Sequence, residues 1–163
     1  MSSLDVIGFK MSIHELQIQD AEKLATDKAL KAFERLRQPL FVEHTGLMIE
    51  YLNGLPGGLT QTFWDTLEAD KFSEIFGNAP TTNVIASTDI CYVDGYRFSL
   101  FNGKIAGKVS PKPMGDRSFQ WDCVFIPDGH DQTFAELGTA KKNKMSMRRI
   151  ALDKLAKFIK EGS

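Results

Sequence analysis

The chain has 163 residues, 42% of them hydrophobic and 25% charged, which suits one globular domain and excludes wholesale disorder. Twenty basic residues stand against 21 acidic ones, for a net charge of −1, so the chain is not built for general coating of nucleic acid. With only two cysteines, Cys91 and Cys123, a disulfide framework is excluded, and both read as reduced, buried small hydrophobes.

Residues 20–37 read as a helix. Ala21, Leu24, Ala25, Ala29, Ala32, Phe33 and Leu36 recur at helical spacing behind Asp20, a suitable N-cap, and Pro39 ends the run. Leu40-Phe41-Val42 reads as a short buried strand, and residues 47–52 as a second extended segment closed by Asn53-Gly54. Residues 62–76 look helical, with Gly77 as the stop. Asp94-Gly95 and Asn102-Gly103 both have hairpin-turn composition. They divide residues 84–109 into three strands of an antiparallel meander, and the hairpin 96–109 is expected in the smaller of two lobes. Val124-Phe125-Ile126 is a further short strand. Residues 146–160 form a last amphipathic helix, expected to pack on the sheet through Met147, Ile150, Ala151, Leu155, Phe158 and Ile159. The pattern is that of a mixed α/β domain with a largely antiparallel or mixed sheet.

Charge is unevenly spread. The last 23 residues hold eight basic residues against Asp153 and Glu161, so they carry +6 and the remainder −7. A basic end on an acidic body suits phosphate contact, and equally a solvated helix face. No run approaches the roughly 18 apolar residues of a membrane span, and the start shows no signal-peptide pattern. No membrane partner and a cytoplasmic location are therefore expected.

Three segments hold polar residues that local structure does not require. Glu43-His44-Thr45 follows a buried strand and reads either as a site or as a polar turn. Ser118-Phe119-Gln120-Trp121-Asp122 places a carboxylate beside two rings, which suits stacking of a nucleobase and also suits core packing. Residues 141–149 combine Lys142, Arg148 and Arg149 with Ser146 at a helix start, an arrangement fit for an anion or for a basic linker. The glycines of 54–58 match no phosphate-loop spacing, and His14, His44, His130 and the cysteines form no zinc pattern.

Taken in order, these segments resemble the inosine triphosphate pyrophosphatase family. The matching pieces are His14-Glu15-Leu16-Gln17, Lys28-Ala29-Leu30-Lys31-Ala32, Val42-Glu43-His44-Thr45-Gly46-Leu47 and Leu52-Asn53-Gly54-Leu55-Pro56-Gly57. Downstream follow residues 101–107, Phe119-Gln120-Trp121-Asp122, Phe125-Ile126-Pro127-Asp128-Gly129, Thr133-Phe134-Ala135-Glu136-Leu137, and Lys142-Asn143 with Ser146-Met147-Arg148. None is diagnostic alone; nine in order across residues 13–155 carry the resemblance.

The resemblance implies a two-lobed, elongated mixed α/β fold, usually dimeric, that cleaves non-standard purine nucleoside triphosphates (ITP, dITP, XTP) to monophosphate and pyrophosphate with Mg²⁺. It implies Glu15 and Glu43 at metal positions, Glu43 and His44 as catalytic residues, and Lys28 and Thr45 on the substrate. It further implies Phe119 stacked on the base, Trp121 and Asp122 shaping its pocket, and Lys142 with Arg148 as the late basic pair, Arg148 near the 6-keto oxygen.

The chain departs from the family pattern at four points. The family's Ser/Thr-Gly-Asn-x-x-Lys loop and first strand have no counterpart before Ile13. His44 stands where the family has a water-orienting Asp, Met147 where it has His, and Gln61 where it has a loop Lys. These departures predict weak turnover, and leave open a nucleotide-binding relative without catalysis or an oligomer with a different partner. A sheet margin left by the first strand is expected to be covered by a second copy of the chain.

Overall fold

A computed structural model describes residues 5–162, and all structural statements concern those residues. Helix α1 (Ala21–Leu36) starts where Asp20 accepts a hydrogen bond from the Lys23 N–H at 3.1 Å, and it ends on Arg37 in the left-handed region. Strand β1 (Leu40–Ile49) leads through short turns into α2 (Thr60–Phe76), whose helical course is broken at Glu68, φ 58°. Strands β2 (Asn83–Val93), β3 (Phe98–Val109) and β4 (Phe125–Pro127) follow. The chain closes with α3 (Phe134–Leu137), α4 (Thr139–Met145) and α5 (Met147–Glu161). The strands form one antiparallel sheet in the order β1-β2-β3-β4.

The α/β class and the terminal helix stand as expected, but two boundaries differ. The segments 40–42 and 47–52 are not separate strands: β1 runs unbroken through Glu43-His44-Thr45-Gly46. Gly46 is there for space, because a Cβ would lie 2.6 Å from the Gly57 carbonyl oxygen and 2.9 Å from Thr60 Oγ1. Asn102-Gly103 is not a turn either, so residues 96–109 form no hairpin; the hairpin is β2–β3, turning at Asp94-Gly95. A Cβ on Gly103 would overlap the Met147 carbonyl oxygen of α5, so this glycine marks the point where helix crosses strand. Asn102 serves the sheet, donating to Asp89 Oδ1 at 2.7 Å and Ser87 Oγ at 2.8 Å.

The sheet is covered on both faces. On one, Ala25, Ala29 and Phe33 of α1 pack on Leu40, Val42, Cys91 and Val93. On the other, Ala151 and Leu155 of α5 pack on Ile90 and Tyr92. A third cluster, including Leu47, Ile49, Phe72, Phe76, Trp121, Phe125 and Phe134, joins α2 and the segment around β4 to the lower sheet. Both cysteines are buried and free, and burial pushes the Cys91 thiol up to about 11. No helix among the described residues is long and apolar enough to cross a membrane.

Candidate functional site

Because β1 is continuous, its side chains alternate between faces. Leu40 and Val42 face α1, so His44 faces it too, while Glu43 and Thr45 face α5. That alternation divides the residues singled out in the sequence.

On the α5 face a cleft of about 860 Å³ lies between the sheet, the segment 116–122 and the start of α5. It gathers Glu43, Thr45, Phe119, Trp121, Asp122, Lys142 and Arg148. Thr45 Oγ1 lies 2.8 Å from Thr88 Oγ1, a cross-strand hydroxyl pair at the floor. The Trp121 ring is buried edge-on to Phe125, with centroids 5.8 Å apart, whereas the Phe119 residue is 70% exposed at the mouth. Packing therefore separates the two rings: Trp121 is core, and Phe119 presents an exposed aromatic face.

Beneath Phe119, Lys142 Nζ donates to Asp122 Oδ2 at 2.5 Å and sits 5.4 Å from the Phe119 centroid. Burial pushes the Asp122 carboxyl up, and the adjacent Lys142 opposes that rise. Across the cleft, Arg148 Nε donates to both carboxylate oxygens of Glu43, at 3.0 and 2.9 Å. The backbone turns sharply into α5 because Ser146 caps it, its Oγ accepting from the Arg149 N–H at 3.1 Å. Arg149 and Asn143 also line the cleft.

Glu15, Lys28 and His44 lie elsewhere. Lys28 Nζ bridges Glu15 Oε1 at 2.8 Å and the Glu43 carbonyl oxygen at 3.4 Å, along the free margin of β1. The His44 ring shares its face with Asp89 and Asn102, its neighbours in register across β2 and β3. Its Nε2 is buried without a partner, and desolvation lowers its pKa below the usual value, the charges of Glu15 and Asp89 working against that shift. Burial thus favours the neutral imidazole. A second cavity, about 390 Å³, opens on this face beside Asp89, Asn102 and Lys104. Sequence reasoning passed over Asp89, although a carboxylate inside the apolar run 84–93 is a visible anomaly.

The described side chains as they stand form no all-protein Mg²⁺ site, and both candidate carboxylates are engaged by cations. Glu15 is taken by Lys28 and Glu43 by Arg148, and no group of three His, Cys, Asp or Glu among the described residues could hold a metal.

A family model described as the Ham1 family matches residues 1–158. The chain belongs to the Ham1 family. Among relatives of this Ham1 chain, the dITP/XTP pyrophosphatase of Methanopyrus kandleri is 36% identical over 158 residues, covering 96% of this chain and 84% of the relative. The inosine triphosphate pyrophosphatase of Yarrowia lipolytica is 32% identical over 160 residues, covering 94% and 85%. In solved structures, a HAM1 protein from Coxiella burnetii superposes with a TM-score of 0.79 at 22% identity, covering 93% of this chain and 81% of that one. This last likeness bears on the fold alone. The family resemblance drawn from the order of the motifs is thereby established.

Proposed function

We propose that this Ham1 chain binds a deaminated purine nucleoside triphosphate in the cleft on the α5 face and hydrolyses it to the monophosphate and pyrophosphate. The observation that carries this reading is the Asp122–Lys142 pair under the exposed Phe119 ring, with Arg148 opposite. A deaminated purine presents a keto oxygen that accepts and a ring N–H that donates. Arg148 and Lys142 can only donate, and ionised Asp122 can only accept. Adenine presents the opposite pattern, an amino donor beside a ring acceptor, so the cleft favours ITP and XTP over ATP. Phe119 supplies a stacking face that any base can use, and hence affinity without selectivity. The names borne by the 36% and 32% identical relatives support the same substrate class.

Turnover is expected to be slow. His44 presents its ring on the opposite face, and Glu43 is engaged by Arg148, so neither stands free in the cleft to orient water. A side chain at position 44 points away from this cleft whatever its type, so His44→Asp should leave the rate unchanged.

The test is release of pyrophosphate from ITP, dITP, XTP and ATP, with and without Mg²⁺, by wild type and His44→Asp. Pyrophosphate from ITP and XTP above ATP, with His44→Asp no faster than wild type, is the expected result. Release of orthophosphate, or a preference for ATP, refutes the reading. ITP binding with no pyrophosphate from either protein would mark a nucleotide-binding relative, which the placement of His44 favours as the second reading.

A further inference from the structure

The carboxylate of Glu43 faces a cation in the cleft, and that cation is an arginine. Arg148 Nε lies 3.0 Å from Oε1 and 2.9 Å from Oε2, a contact that joins β1 to the first turn of α5 across 105 residues of sequence. Both partners are set on regular elements. Glu43 lies mid-strand, with its neighbours paired to β2 and its carbonyl oxygen accepting from Lys28 Nζ at 3.4 Å. Arg148 follows the Ser146 cap.

From this we infer that Glu43 is a positioning residue for Arg148 and thereby a determinant of base selection, not a metal ligand. The inference rests on the functional reading above. A guanidinium carries five N–H donors in a fixed fork. Engaging Nε leaves the four N–H groups of the two terminal nitrogens for a ligand, with the plane of the group fixed. Without Glu43, a side chain that is 55% exposed would sample many rotamers, and the keto oxygen would meet a disordered donor. Such an exposed pair adds little to stability. Its value is orientation, because a preorganised donor loses less freedom when the ligand arrives.

The two roles for Glu43 predict different responses. A metal ligand acts on the triphosphate whatever the base, and its loss raises the Mg²⁺ requirement. A positioning residue acts on the base, and does so without phosphates or metal. The experiment is calorimetric titration of IMP and AMP, free of metal, into wild type, Glu43→Gln, Arg148→Lys and the double variant. Half-saturating Mg²⁺ for pyrophosphate release from ITP is measured alongside. Gln keeps the shape and one acceptor and removes the charge.

Expected are tighter binding of IMP than AMP by wild type, and a 5- to 10-fold weakening of IMP with little change for AMP in Glu43→Gln. The double variant should be no weaker than Arg148→Lys alone, since the two residues act as a unit. The half-saturating Mg²⁺ should be unchanged in Glu43→Gln. Three outcomes overturn the inference: unaltered IMP binding in Glu43→Gln, additive losses in the double variant, or a Mg²⁺ requirement raised tenfold with ITP and ATP affected alike. If wild type itself fails to prefer IMP over AMP, the functional reading fails and the inference falls with it. If wild type prefers IMP and Glu43→Gln keeps that preference undiminished, the inference alone fails.

Discussion

Phe119→Ala separates a ligand-binding ring from a core ring. The Phe119 residue is 70% exposed, so folding removes only about a third of it from water. Fully burying such a side chain is worth roughly 1.5–3 kcal/mol, so truncation should cost folding only about 0.5–1 kcal/mol. A stacked base is worth about 1–3 kcal/mol by alanine substitution, which is about 5- to 150-fold in dissociation constant. Lys142, 5.4 Å from the ring centroid, loses a weak cation–π partner but keeps Asp122. The assay pairs urea denaturation with calorimetric titration of IMP. Affinity should fall by at least 5-fold while stability hardly moves, and Phe119→Trp should restore binding. Unchanged IMP affinity in Phe119→Ala refutes the stacking role. A stability loss above about 2 kcal/mol refutes the premise that the ring is a free surface.

Lys142→Met should destabilise the fold by about 2–3 kcal/mol in urea at pH 7, below the usual 3–5 for a broken buried pair because the side chains are 21% and 12% exposed. Adding Asp122→Asn should recover much of that loss, because the stranded carboxylate is gone; no recovery would show that the pair is not what Lys142 contributes. His44 has a folded pKa below its unfolded value of 6.5, so its neutral form contributes stability that is whole above pH 6.5 and is lost as the pH falls through the folded value. Wild type should therefore lose more stability than His44→Gln between pH 7.5 and 5.5, and parallel losses would contradict the burial of this ring. A homodimer is expected by light scattering at high micromolar concentration, given exposed Val6, Ile7, Phe9, Tyr96 and Phe98; a monomer would count against it.

The helices were legible because their signals are local. Asp20 and Ser146 cap α1 and α5 as their side chains suggest, and the apolar spacing behind each needs no tertiary information. The strands were less legible because their glycines answer to distant contacts. Gly46 makes room for Gly57 and Thr60, and Gly103 for the backbone of α5, so composition presented two close approaches as breaks. The misplaced break at 43–46 had a consequence for the site. Seen as a turn, Glu43, His44 and Thr45 converge; in a continuous strand, alternation sends His44 to the other face. Phe119, Trp121 and Asp122 stood out by type, but only packing distinguishes the exposed ring from the buried one. The ion pairs of Glu43 with Arg148 and Asp122 with Lys142 join residues 105 and 20 positions apart, which no local pattern records.

The most direct measurement is a crystal structure of the protein soaked with IMP. The account predicts the purine against the Phe119 ring, its keto oxygen within hydrogen-bond distance of the Arg148 guanidinium or Lys142 Nζ, and its ring N–H towards Asp122. Nucleotide found instead on the opposite face, in the cavity beside Asp89, Asn102 and Lys104, would contradict it.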